Sequence, residues 1–88
     1  MEVKYIEFSR PRPTKTGKTY VWSVLADALT LSPYSIGEIK WHGAWRRYAF
    51  FPGRDTRFEH DCLRKIADFC EDRTKRIRRK WAKRRTAQ

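Results

Sequence analysis

The chain of 88 residues is poor in the side chains on which enzymes and metal sites are built. It has two cysteines and two histidines. No Cys-x-x-Cys pair is present, so the four converging ligands of a zinc site are not on offer. His60 and Cys62 stand two apart in a stretch that reads as a helix, where such side chains diverge. His42 falls in a predicted turn, which suits a solvated or capping imidazole. With no base held beside a nucleophile, the sequence predicts a non-enzymatic protein with no cofactor and no metal. Cys62 and Cys70 lie about 12 Å apart along a helix axis at ~1.5 Å per residue, beyond the reach of a disulfide. They read as small core fillers, and two free thiols suit a reducing compartment. No apolar run approaches the roughly 20 residues that span a bilayer, and nothing resembles a signal peptide, so the expectation is a soluble, cytoplasmic protein without membrane attachment.

Acidic residues are also missing where they would be most needed. The formal charge is +11, yet no Asp or Glu follows Asp72, and residues 73 to 85 carry nine Lys or Arg. That leaves twelve of the 21 bases against all ten acids, a balance of only +2. The expected organisation is a nearly neutral α+β domain over 1–72 and a basic helical extension over 73–88. A solvated helix face normally interleaves acids with its bases, so an acid-free run points to a polyanionic partner. A membrane surface would require more apolar residues opposite the charges than Ile77 and Trp81 supply.

Five of the thirteen aromatic residues lie between Ile36 and Pro52. The stretch reads as a β-hairpin with a three-residue loop at His42-Gly43-Ala44. On the first strand Ile39 and Trp41 share a face with Gly37, and Ile36, Glu38 and Lys40 take the other. With that loop, Trp41, Trp45, Ala49 and Phe51 are expected beneath a helix, leaving Tyr48, Phe50 and Arg46 on an open face beside Lys40. Such a face stacks nucleobases or docks a partner. The preferred reading, however, has Tyr48 and Phe50 covered by the N-terminal strand, by the 27–34 loop or by a second copy of the chain.

Val3 to Phe8 alternates loosely and is a predicted first strand. Ser9 to Lys18 holds two prolines, a glycine and four bases, and reads as a cationic loop. Its Arg10-Pro11-Arg12-Pro13 resembles the Arg-Gly-Arg-Pro core of AT-hooks, but Pro11 stands where the glycine lets that backbone enter the minor groove. A plain solvated hairpin loop is the simpler expectation. Thr19 to Ala26 is a predicted second strand with Tyr20, Trp22 and Val24 on one face. Residues 27 to 34 are expected to loop back to the hairpin, with a helical turn over 26–31 as the alternative.

Pro52-Gly53 stops the hairpin, and Thr56-Arg57-Phe58-Glu59 has the capping-box pattern of a helix start. Phe58, Cys62, Leu63, Ile66, Phe69, Cys70 and Ile77 recur at three- and four-residue steps. No Pro or Gly follows Gly53, so the helix is expected to run to about Arg84, its last three turns projecting from the body or ordering on binding. The fold expected is a small antiparallel sheet of three to four strands with a central hairpin, packed by one long C-terminal helix.

The pattern Ile36-Gly37-x-Ile39-x-Trp41, Trp45-Arg46-x-Tyr48-x-Phe50-x-Pro52, then Phe58 and Cys62-Leu63-x-x-Ile66-Ala67-x-Phe69 is similar to a group of small bacterial and phage proteins with no assigned activity. The resemblance spans about residues 19 to 72 and implies antiparallel strands closed by one helix, and a bacterial host cell if the chain is phage-encoded. The loop at 10–18 and the basic tail fall outside it.

Together these features predict a small nucleic-acid-binding protein that takes duplex DNA or structured RNA. The residues expected at phosphates are Arg10, Arg12, Lys15 and Lys18 in the loop, Arg46 in the hairpin, and Arg73, Arg76, Arg78, Arg79, Lys80, Lys83 and Arg84 on the helix. Arg73, Arg76, Lys80 and Lys83 fall on one helical stripe. The rival is an interaction module or inhibitor that docks on a host protein through the hairpin aromatics, with Tyr48 and Phe50 as its face. A homodimer is compatible with either.

Overall fold

β-Branched and aromatic residues at alternating positions hold 20–26, 34–42 and 47–52 extended, and their apolar sides need a cover that the long C-terminal helix supplies. The computed structural model describes residues 2–3, 6–26, 34–54 and 56–86, with the side chains of 2–3 and 84–86 outside the description. The elements are β1 (Glu2–Val3), β2 (Ile6–Phe8), β3 (Arg12–Pro13), β4 (Tyr20–Ala26), β5 (Tyr34–His42), β6 (Arg47–Pro52), β7 (Arg57–Phe58) and α1 (His60–Thr86). The expected α+β architecture is present: β2, β4, β5 and β6 form an antiparallel sheet in that order, and β3 joins it beside β4. The 27–34 connection lies outside the described residues except for Tyr34, which opens β5.

Residues 6 to 13 run along one edge of β4, first as β2 and then as β3. Between the two, Ser9 keeps the ladder closed: its N–H donates to the Ser23 carbonyl at 2.9 Å and its hydroxyl accepts the Ser23 N–H at 2.8 Å. The cationic loop is thus anchored, and only 14–19 forms its turn. Pro13 sits at a sheet edge, where a missing N–H is tolerated.

The central hairpin has a longer turn than its sequence suggests. His42 pairs with Arg47 and Trp41 with Tyr48, so Gly43 to Arg46 make a four-residue loop with Arg46 at φ 54°. Moving the register by an odd number of residues exchanges the faces of β6. Tyr48 and Phe50 therefore lie beneath α1, with Tyr48 buried and Phe50 partly so, and Ala49 and Phe51 face away from it. Trp45, expected under the helix, stands in the loop and is 62% exposed. Ile36, expected opposite Ile39, is buried with it. The cause is a bulge: Val24 pairs with Gly37 but Leu25 with Ser35, which leaves Ile36 as an extra residue turned toward the core. Gly37 leaves room for the Phe50 ring, because a Cβ there would meet Phe50 Cε1 at 2.6 Å.

The helix starts at His60, later than the capping box implies. Arg57 and Phe58 are held extended by parallel pairing with Glu2 and Val3. Thr56 donates its hydroxyl to the Gly53 carbonyl, and Glu59 is the cap, its carboxylate accepting the Cys62 N–H at 2.7 Å. Those backbone donors hold the Glu59 carboxyl below its usual range. Cys62, Ile66, Phe69, Cys70, Thr74, Ile77 and Trp81 face the sheet. Leu63 does not, and is 49% exposed. The last turns do not project freely, since Thr74 and Ile77 are buried and Trp81 meets Trp41 edge-to-face at 5.2 Å. Thr74, Ile77 and Trp81 thus pack with the core, while Lys75, Arg76, Arg78, Arg79 and Lys80 between them are exposed.

Thr74 fixes this packing, accepting the Tyr48 N–H at 3.0 Å and donating to the Cys70 carbonyl at 2.7 Å. Thr74→Val should cost about 1–3 kcal/mol by stranding a buried N–H, while Thr74→Ser should recover most of it. The urea midpoints of the two variants check this.

Candidate nucleic-acid interface

Four contacts bring one end of the sheet, the hairpin tip and the second half of α1 together. The Tyr48 hydroxyl accepts the Tyr20 N–H at 3.2 Å, so the Tyr48 side chain reaches across β5 to the start of β4. Trp81 packs on Trp41. Arg78 donates to the Arg46 carbonyl. Lys80 Nζ lies 6.0 Å from the centre of the Tyr20 ring. The 14–19 turn precedes Tyr20 directly, so three segments distant in sequence share this end of the molecule. Between 10 and 20, between 42 and 47, and between 73 and 83 there is no acidic residue.

A groove of about 230 Å³ opens here between β3–β4 and the helix. Pro11, Tyr20 and Trp22 line it from the sheet side, and Arg73, Arg76, Ile77 and Lys80 from the helix. Of the expected stripe Arg73, Arg76, Lys80 and Lys83, the first three line this groove, and Pro11 is the part of the 10–18 loop that borders it; Arg10, Lys15 and Lys18 are exposed. Arg73 lies partly under the surface, its guanidinium 4.8 Å from the Phe69 ring centre and 5.7 Å from that of Trp22. Its buried Nε has no hydrogen-bond partner among the described residues. Arg76 is held by Asp72 at 2.9 Å and Lys75 by Glu71 at 3.0 Å, exposed pairs of small energetic value. Arg79 and Lys80, further along, are exposed, and neither forms an ion pair among the described residues.

Not every predicted contact joins this groove. Arg12 turns to the opposite face of the sheet, bonded to Ser23 at 3.0 Å and to Glu38 at 3.1 Å. Arg78 is engaged in holding the hairpin, and Arg46 is exposed at its tip. Lys83 is exposed, and the Arg84 side chain lies outside the description. Tyr48 cannot stack a base, because Trp22 and Trp41 meet its ring edge-to-face at 5.1 and 5.3 Å. Burial raises its hydroxyl above the ordinary value, partly offset by the Tyr20 N–H. Phe50 is likewise occupied, edge-to-face with Phe58. A larger cavity of about 390 Å³ on the other flank of α1 is lined by Arg47, Lys75 and Arg78 together with Glu71, which Lys75 holds at 3.0 Å.

The sequence reading missed an aromatic row on the face away from α1. Trp45 stacks on His42 at 4.2 Å and 25°, His42 lies over Phe51 at 6.2 Å and 20°, and Lys40 Nζ sits 4.5 Å from the Phe51 centre. His42 has the capping role expected of it: its Nδ1 accepts the Trp45 N–H at 3.3 Å. The ring count of the hairpin signalled such a row, but the loop length decides which rings form it.

Elsewhere, Glu59, His60 and Asp61 bring ligand-type atoms within 4.8 Å of one another. Glu59 is already committed to the helix cap, and the three are surface neighbours in sequence. No helix is long and apolar enough to cross a membrane among the described residues. No protein-family model, curated protein or solved structure matches the chain.

Cys62 and Cys70 are not joined in a disulfide and face the core. Burial pushes the Cys70 thiol up to about 11 from 9.0, and raises Cys62 for the same principal reason. A folded state that holds its thiols protonated loses stability as pH rises through the unfolded value, until the folded value is passed. Urea midpoints should therefore fall between pH 9 and 11, and Cys70→Ala should flatten that decline relative to wild type.

Proposed function

We propose that the chain is a small non-enzymatic nucleic-acid-binding protein that grips phosphates in the groove between its N-terminal hairpin loop and the basic half of α1. The observation that carries this reading is the alignment of Arg73, Arg76 and Lys80 with Tyr20 and Trp22 around one groove, whose sheet side begins at Pro11 in the basic 10–18 segment. Arg73, Arg76 and Lys80 supply cationic groups there for phosphate oxygens, Arg73 and Arg76 standing 3.9 and 2.9 Å from Asp72. The alternative, that the bases are a solvated helix face, fits poorly with their spacing. Arg76 and Lys80, Lys75 and Arg79, and Arg79 and Lys83 are like charges four apart, each pair unfavourable by roughly 0.2–0.5 kcal/mol. A run that works against its own helix is explained by a polyanion that neutralises it.

Binding should be steeply salt-dependent, with each phosphate contact contributing about 0.9 to the slope of log affinity against log salt on duplex DNA. Replacing Arg76, Arg79 and Lys80 together with Gln leaves the apolar packing of Ile77 and Trp81 in place. This variant should reduce the slope by roughly 2 to 3 and weaken binding to duplex DNA and hairpin RNA alike. Lys15→Gln with Lys18→Gln should add to the loss. Fluorescence anisotropy across a salt series measures both quantities. Unchanged affinity and slope in the triple variant would sink the reading and assign the charge to an acidic protein surface.

A further inference from the structure

Trp45 is the most exposed large hydrophobic residue described, yet it is among the most firmly placed. Its N–H is shared between the His42 carbonyl at 3.2 Å and the His42 Nδ1 at 3.3 Å. Its carbonyl accepts from Arg47 Nε at 3.3 Å. The next residue, Arg46, donates its N–H to the His42 carbonyl at 2.9 Å in a left-handed turn, and its own carbonyl is held by Arg78 of the helix. One face of the indole rests on the His42 ring. An indole that is 62% exposed with one face covered presents the other face to solvent.

An exposed tryptophan contributes little to the core, and a loop that needed only a turn would carry a polar residue here. Aromatic rings held rigidly and open on one face are what base stacking requires, because little side-chain freedom remains to be lost on binding. The setting is complementary in charge: Arg46 and Arg47 follow Trp45 and are exposed, Lys40 lies over Phe51 in the same row, and Arg78 of the basic run is bonded to the Arg46 carbonyl. We infer that Trp45 is a stacking platform for an unpaired nucleobase, continuing the Trp45, His42, Phe51 row by one ring while the neighbouring bases hold the strand's phosphates. The inference rests on the nucleic-acid reading above and deepens it, since it makes a strand with unpaired bases, and not a closed duplex, the preferred ligand.

Trp45→Ala and Trp45→Phe test it, both at a residue outside the core. Affinities are measured by anisotropy for oligothymidylate, oligouridylate and a blunt DNA duplex of similar phosphate number, with thermal melts confirming that each variant folds. Wild type should prefer the single strands. Trp45→Ala should weaken single-strand binding by about 5- to 100-fold, as expected for loss of one stacked base. It should leave duplex affinity and salt slope unchanged, and Trp45→Phe should retain most of the single-strand affinity. Whether the ribo- or the deoxy-oligonucleotide suffers more tells which sugar the site accepts. An indole N–H resonance that is absent from the Trp45→Ala spectrum should shift when oligothymidylate is added to wild type. If wild type binds these nucleic acids and Trp45→Ala binds single strands as tightly, the stacking inference alone is overturned. An equal loss on duplex and single strand overturns it as well, because the indole is then not reading unpaired bases. If wild type binds none of the three, the underlying reading falls with it.

Discussion

Tyr48 is the residue through which the sheet, the helix and the N-terminal hairpin are joined. Its backbone N–H is held by Thr74 on α1, its hydroxyl accepts from Tyr20 at the start of β4, and its ring separates Trp22 from Trp41. The N–H points away from the β5 ladder, since β6 is the last strand of the sheet. An outermost strand leaves such donors unpaired and invites pairing with another chain. Here the helix closes the edge at two points: Thr74 takes the Tyr48 N–H, and Arg78 donates to the Arg46 carbonyl. A buried backbone donor without a partner costs enough that this contact specifies where α1 lies. Once Thr74 is opposite Tyr48, the helical repeat places Ile77 on the core and Trp81 on Trp41.

That same placement arranges the charge. With Thr74, Ile77 and Trp81 directed inward, Arg73, Arg76 and Lys80 are aligned on the flank that faces β4, and Arg78 falls on the flank that faces the hairpin. The basic half of the helix is therefore an integral part of the domain. Its apolar face stabilises the sheet, and its cationic face is displayed by that packing. Of the acids that follow the helix start, Asp61, Glu71 and Asp72 pair with Arg64, Lys75 and Arg76, and no acid lies beyond Asp72. Charge is thus nearly balanced along most of the molecule and unbalanced at one end, which gives a polyanion one place to approach.

Much of this was legible in the order of residues. The α+β class, the central hairpin, the face of β4 formed by Tyr20, Trp22 and Val24, and a helix running through the basic segment all follow from periodicities of two and three to four. What failed did so for reasons of parity. Nothing local distinguishes a loop of His42-Gly43-Ala44 from one of Gly43 to Arg46, and the odd difference in register exchanges Tyr48 and Phe50 with Trp45 and Phe51. The bulge at Ile36 is likewise decided by β4, its partner across the ladder. Thr56 lost the helix cap to Glu59 because Arg57 and Phe58 pair with a strand more than fifty residues away. For the candidate site, the sequence identified the charged segments but not their meeting, which depends on the long-range contact between Tyr20 and Tyr48. An open aromatic face on the hairpin was one of two readings of Tyr48 and Phe50, and the rings on the face away from α1 are Trp45, His42 and Phe51.

The exposed tryptophan and the unbalanced charge have a common physical consequence. Each is unfavourable for an isolated domain: the first leaves apolar surface in water, and the second places like charges along consecutive turns of one helix. Both occur at the same end, and Arg78 links them, since it belongs to the basic run and also holds the loop that carries Trp45. A ligand that neutralises the helix and covers the indole would relieve both at once, and would do so only by touching both. Because the same turns of α1 seat Ile77 and Trp81 on the sheet, such a ligand would bind the folded state in preference to the unfolded chain and stabilise it. A strand that offers phosphates and a free planar base in adjacent positions meets both requirements with a single repeating unit. An acidic protein surface would meet both requirements only if an apolar pocket for the indole stood beside its carboxylates.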